Sequence, residues 1–395
     1  MKSDLESGIW PNPKLARPWE FLNHIHFPYS QQQETGLFRV SMGLDKTPDP
    51  FNPLLENYTL GVHLTAPALC RQGRPPMVLT LVIDVSMSMS EKSGFTGSQK
   101  IQKLELMRIG LRRMLQELVP GDIVNLVAFS KEAYPLLENL KMPEDQERLR
   151  AEIEKLAVIF DTNLNAGLQE GYRLARKYFQ PERSNRLLLL TDAYANEGRV
   201  DPQWVARQTR INDRRGIYFS GLGYGLDFNQ DYLNQLTEEG QGAYYSIVNP
   251  EDAERAFGER FMALTHTAAR NVRFKLDYPA WMQHGDSAAE ELSKFAAAIR
   301  PTHFSFNTSQ FFLEKFRANP HPERLQDRIR LEITYTLPAD NRRYREVYSR
   351  TLAEIIGVNQ ESIHAAEWVT LFTDLLSGRY TAEQVQAALK SANLE

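Results

Sequence analysis

Three short runs of almost uninterrupted apolar residues constrain the fold of this chain more than any other feature of its sequence. They are MVLTLVID at 77–84, DIVNLVAFS at 122–130 and NRLLLLTD at 185–192. A strand with one solvated face alternates apolar and polar residues, so an uninterrupted apolar strand is typical of a sheet covered on both faces. The runs therefore predict the buried centre of a sheet with other elements packed on each side.

Helical patterns separate these strands. The stretch at 100–118 places Leu104, Met107 and Leu111 at spacings of three and four, which is one face of an amphipathic helix. Similar patterns predict further helices and strands between them, namely helices at 144–158, 163–179, 201–216, 229–242 and 250–265 and strands at 217–225 and 243–248. Strands that alternate with helices form crossover units. Residues 76–265 are therefore predicted to be one α/β domain with an open, mostly parallel, doubly wound sheet.

The segments on either side of this domain alternate apolar and polar residues instead. The alternation predicts antiparallel strands with one wet face at 36–44, 58–66, 271–279, 302–308 and 327–337. We expect residues 36–75 and 266–340 to pair into one β-sandwich. The α/β domain would be inserted into that sandwich, because the two ends of a domain often lie close together.

The two ends of the chain complete the predicted organisation. Residues 1–35 are an N-terminal segment, and residues 341–395 are predicted to be a C-terminal helical segment with helices at 351–356, 361–378 and 381–392. Thr381 is the expected N-cap of the last helix. Gln384 stands three residues later, as in a capping box.

Charge and cysteine content exclude several classes of protein. The chain has 46 basic and 50 acidic residues and a net charge of −4, which gives no electrostatic case for nucleic-acid binding. Cys70 is its one cysteine, so no intrachain disulfide forms. No apolar run approaches the roughly 18 residues of a membrane-spanning helix, and no signal-peptide core is seen at the N-terminus. We therefore expect a cytoplasmic protein, or a secreted or periplasmic one if a leader was removed.

Side chains that carry oxygen atoms stand at the ends of three of the predicted elements. Asp84 ends the first apolar strand, Ser86 and Ser88 lie in the turn after it, Thr162 precedes a helix, and Asp192 ends the third apolar strand. Ligands of open α/β sheets bind outside the carboxyl ends of the strands, so we expect these side chains to lie together. Such oxygens suit Mg²⁺. The alternative is that they are helix caps and turn residues, because Asp, Ser and Thr are also preferred N-caps.

These residues resemble the metal-ion-dependent adhesion site of the von Willebrand factor A family. The family pattern is present as Asp84-x-Ser86-x-Ser88, Thr162-Asn163 and Thr191-Asp192. The resemblance implies that the two serines and Thr162 are direct or near-direct ligands and that the two aspartates act mainly through bound water. It also implies Mg²⁺, with Mn²⁺ or Ca²⁺ as alternatives, and an open metal position for an Asp or Glu of a partner protein.

Three positions depart from the usual family pattern. Met87 stands between the two serines where glycine is frequent, Phe160-Asp161 replaces a Gly-Gly pair before the threonine, and Ala193 replaces the glycine after the second aspartate. Asp161 is expected to add a carboxylate beside the site. All five ligand residues are present, so the departures bear on which partner binds.

A second resemblance extends beyond the site. Over about residues 20–280 the sequence is similar to bacterial homologues of calcium-activated chloride channels, in stretches such as FLNHIHFPYS, DPFNPLLENYTLGVHL and the run at 220–247. A chain without a membrane span cannot form a channel alone. The likeness therefore points to relatives of this domain arrangement and not to channel activity.

The sequence favours a binding module over an enzyme. No Gly-x-Ser-x-Gly elbow surrounds Ser86 and no paired histidine can be nominated. A metal-dependent hydrolase is therefore only the third of three hypotheses, since no general base is identified. The first hypothesis is an adhesion or scaffold module that grips an acidic residue of a partner protein through the metal. The alternative implied by the family likeness is an adaptor or substrate-recruiting subunit of an AAA+ ATPase of the MoxR type.

Overall fold

The chain divides into two compact units. The computed structural model of the 395-residue chain describes residues 13, 16, 18–25, 27–29, 33–34, 36–49, 52, 54–95, 98–159, 162–193, 201–229, 232–233, 236–237, 243–288, 302–318 and 324–391. One unit combines Met1–Pro67, Ala269–Phe304 and Thr308–Glu395, and the other combines Ala68–Ala268 with Ser305–Asn307. The first unit is discontinuous in sequence, which confirms that the second is inserted into it.

The elements follow one another along the chain in this order. The first part forms α1 (Pro18–His24), β1 (Gln33–Glu34), β2 (Arg39–Pro48) and β3 (Glu56–Thr65). The middle part forms β4 (Met77–Asp84), β5 (Lys92–Ser93), β6 (Ile101–Gln102), α2 (Lys103–Leu115), β7 (Ile123–Phe129), β8 (Ala133–Lys141), α3 (Gln146–Lys155), α4 (Leu164–Lys177), β9 (Ser184–Thr191), α5 (Pro202–Asp213), β10 (Ile217–Tyr224), β11 (Ala243–Ile247), α6 (Pro250–Phe257) and α7 (Phe261–Thr265). The last part forms β12 (Thr267–Asp277), β13 (Gln283–Ser287), β14 (Thr302–Ser305), β15 (Ser309–Ala318), β16 (Arg328–Thr336), β17 (Arg343–Thr351), α8 (Leu352–Ile355), α9 (Gln360–Leu376) and α10 (Ala382–Ser391).

A six-stranded sheet forms the inserted unit, in the order β11-β10-β9-β4-β7-β8. Every neighbouring pair is parallel except β7 and β8. The mostly parallel sheet predicted from the apolar runs is confirmed, and β4 is buried along its whole length. The antiparallel edge strand β8 was not predicted, because Pro135 interrupts the alternation in its sequence. Its backbone is left-handed at Asn139 (φ 55°).

Helices cover both faces of this sheet. Leu81 of β4 belongs to one core together with Met107 of α2 and Phe257 of α6. The next residue, Val82, points to the other face and joins a second core that includes Leu168 of α4. Successive residues of a strand point to opposite faces, so the uninterrupted apolar sequence of β4 is what a sheet covered on both sides requires.

The predicted helix at 250–265 is wrong as a single helix. It is two helices, because α6 ends at Phe257 and α7 begins at Phe261. Gly258 between them has a non-helical backbone (φ −110°, ψ −93°), and a Cβ added there would lie 2.7 Å from Arg113 Nε. The predicted helix at 229–242 is only partly described, and its described turns at 232–233 and 236–237 are helical.

Two antiparallel sheets form the other unit, in the orders β1-β2-β3-β15-β13 and β14-β12-β16-β17. Side chains of both sheets share one core, which includes Leu60 and Phe312 from the first and Phe274 and Leu331 from the second. The predicted sandwich is therefore confirmed, and β3 pairs directly with β15 across the insertion.

The prediction that residues 341–395 are helical is wrong at its start, where β17 completes the second sheet. The physical reason is the buried carboxylate of Glu346 in β17. It accepts hydrogen bonds from the hydroxyls of Tyr335 and Tyr348, both at 2.5 Å, and from the backbone N–H of Leu37, also at 2.5 Å. This buried acceptor with three donors favours a strand where the sequence shows mostly charged and aromatic residues.

The helices after β17 agree with the prediction. Ile363 and Ala366 of α9 pack into a small core with Phe311 and Leu313 of β15. The capping box of α10 is confirmed, because Thr381 N–H donates to Gln384 Oε1 at 2.9 Å and Gln384 N–H donates to Thr381 Oγ1 at 3.3 Å. No helix within the described part of the chain is both long enough and apolar enough to cross a lipid bilayer.

The close packing of α4 on the sheet gives the first testable prediction. A Cβ added at Gly171 of α4 would overlap Val82 Cγ2 of β4. We expect Gly171→Val to lower the free energy of unfolding by about 1–3 kcal/mol, because an overpacked core forces its neighbours to shift. The control Gln169→Val adds the same side chain at an exposed position of α4 and should cost less than about 1 kcal/mol. Equal urea midpoints for the two variants would contradict this packing.

Candidate functional site

The carboxyl ends of β4 and β9 bring two buried aspartates to one edge of the six-stranded sheet. Asp84 is the last residue of β4, and Asp192 follows Thr191, the last residue of β9. Thr191 Oγ1 donates to Asp84 Oδ2 at 2.5 Å, and both aspartates are 0% exposed. The structure therefore places Asp84 and Asp192 at a common site, as the parallel arrangement of their strands predicts.

The turn after β4 presents two hydroxyls beside Asp84. Ser86 N–H donates to Asp84 Oδ1 at 2.9 Å, which folds the chain back over the carboxylate. A short 3-10 turn, Met87–Ser90, follows, and Met89 N–H donates to the Ser86 carbonyl at 3.1 Å. This turn brings Ser86 Oγ within 3.2 Å of Ser88 Oγ. The alternating aspartate and serines thus direct three oxygen-bearing side chains into one small volume.

Backbone hydrogen bonds tie the segment around Thr162 to the same edge. Ile159 N–H donates to the Val85 carbonyl at 2.6 Å, and Asn163 N–H donates to the Ser130 carbonyl at 2.6 Å. These two bonds fix the segment at the turn after β4 on one side and at the end of β7 on the other. Thr162 lies between them and is 3% exposed.

Asn163 then begins α4 as its N-cap, with its side-chain oxygen accepting from Ala166 N–H at 3.1 Å. The residue that caps α4 is therefore Asn163, which is not one of the five candidate ligands. Ser86 stands at the N-cap position of the 3-10 turn but makes no side-chain cap hydrogen bond there. The expectation that Asp161 adds a carboxylate concerns a residue outside the described part of the chain.

The sequence reasoning missed a buried lysine at the site. Lys103, the first residue of α2, has a side chain only 1% exposed, and its ammonium lies 3.1 Å from Asp192 Oδ2. The same ammonium lies 3.1 Å from Glu91 and 3.2 Å from Asp227, whose side chains are 59% and 55% exposed. Lysine at the start of an amphipathic helix is unremarkable in a sequence, so only the fold shows that it pairs with Asp192.

Ala193 continues the chain after Asp192 in an unusual backbone conformation. Its φ is 60°, in the left-handed region, and it is fully buried. Its N–H donates to Thr191 Oγ1 at 2.9 Å, so the hydroxyl that contacts Asp84 is itself held by the turn. The turn therefore fixes both the threonine and the aspartate beside it.

The electrostatics of the site follow from burial. The pKa of Asp84 is raised from 3.8 to about 6, mainly by burial and in addition by the nearby carboxylate of Asp192, while hydrogen bonds from Ser86 and Thr191 oppose the shift. Burial lowers the pKa of Lys103, but its carboxylate neighbours outweigh that effect, so the pKa lies above its ordinary value. Lys103 is therefore a permanent positive charge, and Asp84 is ionised at neutral pH at an energetic cost.

No group of three or more His, Cys, Asp or Glu side chains suited to a metal is found among the described residues. The five residues that the sequence predicts as ligands are not such a group, because Ser86, Ser88 and Thr162 contribute hydroxyl oxygens and only Asp84 and Asp192 contribute carboxylates. What the geometry offers is a compact set of hard oxygens with an excess of negative charge.

The raised pKa of Asp84 predicts how stability depends on pH without added metal. Between about pH 4 and pH 6 the native state keeps a proton that the unfolded chain has lost, so the free energy of unfolding should fall as the pH rises through this window. The fall attributable to Asp84 is up to about 3 kcal/mol. Urea unfolding in EDTA at several pH values would measure it. The Asp84→Asn variant should lack this component, and parallel profiles for the two proteins would refute the assignment.

The buried ion pair gives a second prediction at the site. Lys103→Met removes the charge that faces Asp192 and should lower the free energy of unfolding in EDTA by about 3–5 kcal/mol, because it leaves a buried carboxylate unpaired. The matched control is Lys155→Met, which removes an exposed pair with Glu152 at 3.4 Å and should cost under about 1 kcal/mol. Similar losses in both variants would show that Lys103 does not bear on Asp192.

Known proteins have sequences similar to that of this chain. The chain is 24% identical over 285 residues to YfbK of Escherichia coli. The alignment covers 70% of this chain and 48% of that protein. It is 29% identical over 227 residues to inter-alpha-trypsin inhibitor heavy chain H3 of Rattus norvegicus. This alignment covers 55% of this chain and 24% of that protein. The chain thus spans half or less of the length of these relatives.

A solved structure described as a von Willebrand factor type A protein from Catenulispora acidiphila aligns with a TM-score of 0.48 at 13% identity, covering 89% of this chain and 90% of that one. The likeness to homologues of calcium-activated chloride channels stays an interpretation of the sequence. Residues 79–195, which hold Asp84, Ser86, Ser88, Thr162 and Asp192, match the model of the von Willebrand factor type A domain. This chain therefore contains a von Willebrand factor type A domain.

Proposed function

We propose that the domain binds Mg²⁺ through Asp84, Ser86, Ser88, Thr162 and Asp192 and uses it to grip an acidic residue of a partner protein, as a binding module and not an enzyme. One observation carries the proposal. Two fully buried carboxylates from separate strands meet beside two hydroxyls that lie 3.2 Å apart. Hydroxyl, carboxylate and water oxygens are the ligands that Mg²⁺ takes in proteins.

The charges around the site support a bound cation. Asp84, Asp192, Glu91 and Asp227 supply four carboxylates, and Lys103 supplies one ammonium. Two of these carboxylates, Asp84 and Asp192, are buried beside the one ammonium. Buried charge that is not compensated destabilises a fold, and a divalent ion would offset the remaining negative charge. In addition, the buried hydroxyl of Ser130, at the end of β7, makes no hydrogen bond to any described residue. An ion with its waters would satisfy such an atom.

The composition of the ligand set supports binding of an anionic partner. Three of the five proposed ligands are neutral hydroxyls, so a divalent ion held by them keeps part of its positive charge. When bound, the ion would supply a Lewis-acidic position for a partner's carboxylate oxygen. The proposal gives Ser86 the role of a metal ligand and not of a nucleophile, with its hydroxyl beside the hydroxyl of Ser88 and the carboxylate of Asp84.

Metal binding is tested with two serine variants of the same turn. MgCl₂ should raise the melting temperature of the wild-type protein, because a ligand that binds only the native state stabilises it. Ser86→Ala should weaken the apparent affinity for Mg²⁺ at least tenfold. Ser90→Ala removes a hydroxyl that bonds the Met87 carbonyl at 2.7 Å and should leave the affinity unchanged. Thermal unfolding over a MgCl₂, MnCl₂ and CaCl₂ series measures it, and a wild-type protein indifferent to all three ions would defeat the proposal.

The same variants serve as baits for the partner. Immobilised wild-type protein and Ser90→Ala should retain a protein from the extract of the source organism in Mg²⁺ and release it in EDTA, whereas Ser86→Ala should not retain it. Recovery of an AAA+ ATPase that depends on added nucleotide would instead support the adaptor alternative. Retention that survives both EDTA and Ser86→Ala would contradict a partner held through the metal.

A further inference from the structure

Four large apolar side chains stand exposed on loops at the candidate site. They are Met87, Val158, Ile159 and Leu226, which we call the apolar rim, and their exposed fractions are 44%, 36%, 47% and 36%. Scattered exposed hydrophobic residues are normal on a protein surface, but a group of them beside a binding site marks an interaction surface. The apolar rim is not explained by metal binding, because none of its members has an oxygen-bearing side chain.

Three members of the apolar rim lie on one side of the site. Met87 stands between Ser86 and Ser88, in the turn that presents the two hydroxyls. Ile159 is fixed next to this turn, because its N–H donates to the Val85 carbonyl at 2.6 Å. Val158 precedes it in the same segment. The turn after β4 and the segment before Thr162 are therefore joined through their backbones, and both carry exposed apolar side chains.

Leu226 lies beyond Asp192, in the loop that follows β10. Its neighbour Asp227 is 3.2 Å from the Lys103 ammonium, which in turn contacts Asp192. The same loop is bound to the turn after β9, because Asn229 N–H donates to the Asp192 carbonyl at 2.9 Å. Leu226 is thus connected to the site through Asp192, whereas Met87 and Ile159 are connected to it through the turn after β4.

The charges that surround the apolar rim restrict the partner further. Glu91 and Asp227 are more than half exposed and add negative charge beside the site. A run of acidic residues in a partner would be repelled by them, so a single carboxylate suits the site best. Apolar neighbours of that carboxylate would be favoured, because binding would remove their surface and that of the apolar rim from water.

We infer that the partner segment of this domain carries one Asp or Glu flanked by large apolar residues, with the carboxylate at the metal site and the flanking side chains on the apolar rim. This inference rests on the proposed function and narrows the class of its partner. It assigns Ile159 and Leu226 the role of specificity-determining residues, distinct from the residues that would hold the ion.

The test selects peptides from a random nonapeptide library displayed on phage, with the full chain immobilised in MgCl₂ and bound phage released by EDTA. Wild-type protein should enrich sequences with one acidic residue and at least one large apolar neighbour. Ile159→Ser should lose the apolar preference, and a synthetic peptide from the wild-type selection should bind it at least fivefold more weakly. Ile211→Ser is the matched control, because Ile211 of α5 is also 47% exposed and lies outside the apolar rim.

Two outcomes separate this inference from the proposed function. If EDTA-released peptides carry an acidic residue with no apolar bias, or if Ile159→Ser selects the same sequences as wild type, the inference is overturned while metal-dependent binding stands. If EDTA releases no more phage than buffer alone, the proposed function itself fails. The Mg²⁺-dependent shift in melting temperature of Ile159→Ser should equal that of wild type, which shows that any altered selection does not come from a lost ion.

Discussion

The hydrogen bond from Thr191 to Asp84 is the contact on which the arrangement of the site depends. It joins the carboxyl ends of two adjacent parallel strands, and both partners are removed from solvent. Because Asp84 also accepts from Ser86 N–H, the position of its carboxylate determines where the turn with the two serines lies. The site is therefore a product of the sheet, whose register between β4 and β9 brings residues 107 positions apart into contact.

Another buried carboxylate in the same unit, Asp122, shows what distinguishes this site from a structural ion pair. Asp122 accepts two hydrogen bonds from Arg74, at 2.9 and 2.5 Å, and two more from the N–H groups of Met77 and Val119, both at 2.9 Å. Its charge is matched by one guanidinium and its oxygens have four donors, so nothing is left for a ligand. At the candidate site carboxylates outnumber the single ammonium. This difference in charge balance, and not burial alone, makes Asp84 and Asp192 candidates for function.

The sequence predicted most of the inserted unit and less of the sandwich, for identifiable physical reasons. Runs such as MVLTLVID report burial on both faces, and the oxygen-bearing residues at the ends of β4 and β9 follow from the strand directions. Lys103 was missed because its partner lies 89 residues away and only the fold makes them neighbours. Strand β17 was missed because the burial of Glu346 depends on tyrosine hydroxyls from its own and another strand. The break between α6 and α7 was missed because one glycine, Gly258, interrupts an otherwise continuous helical pattern.

The left-handed backbone at Ala193 has a consequence for how firmly Asp192 is held. An alanine in this conformation is less favourable than in the right-handed region by roughly 1–2 kcal/mol, whereas glycine bears almost no such penalty. Such a conformation persists only when the surrounding contacts enforce it. The methyl group also narrows the range of conformations open to the unfolded chain relative to glycine. Ala193 therefore restricts the backbone conformations available next to Asp192, and with them the directions that the Asp192 carboxylate can take.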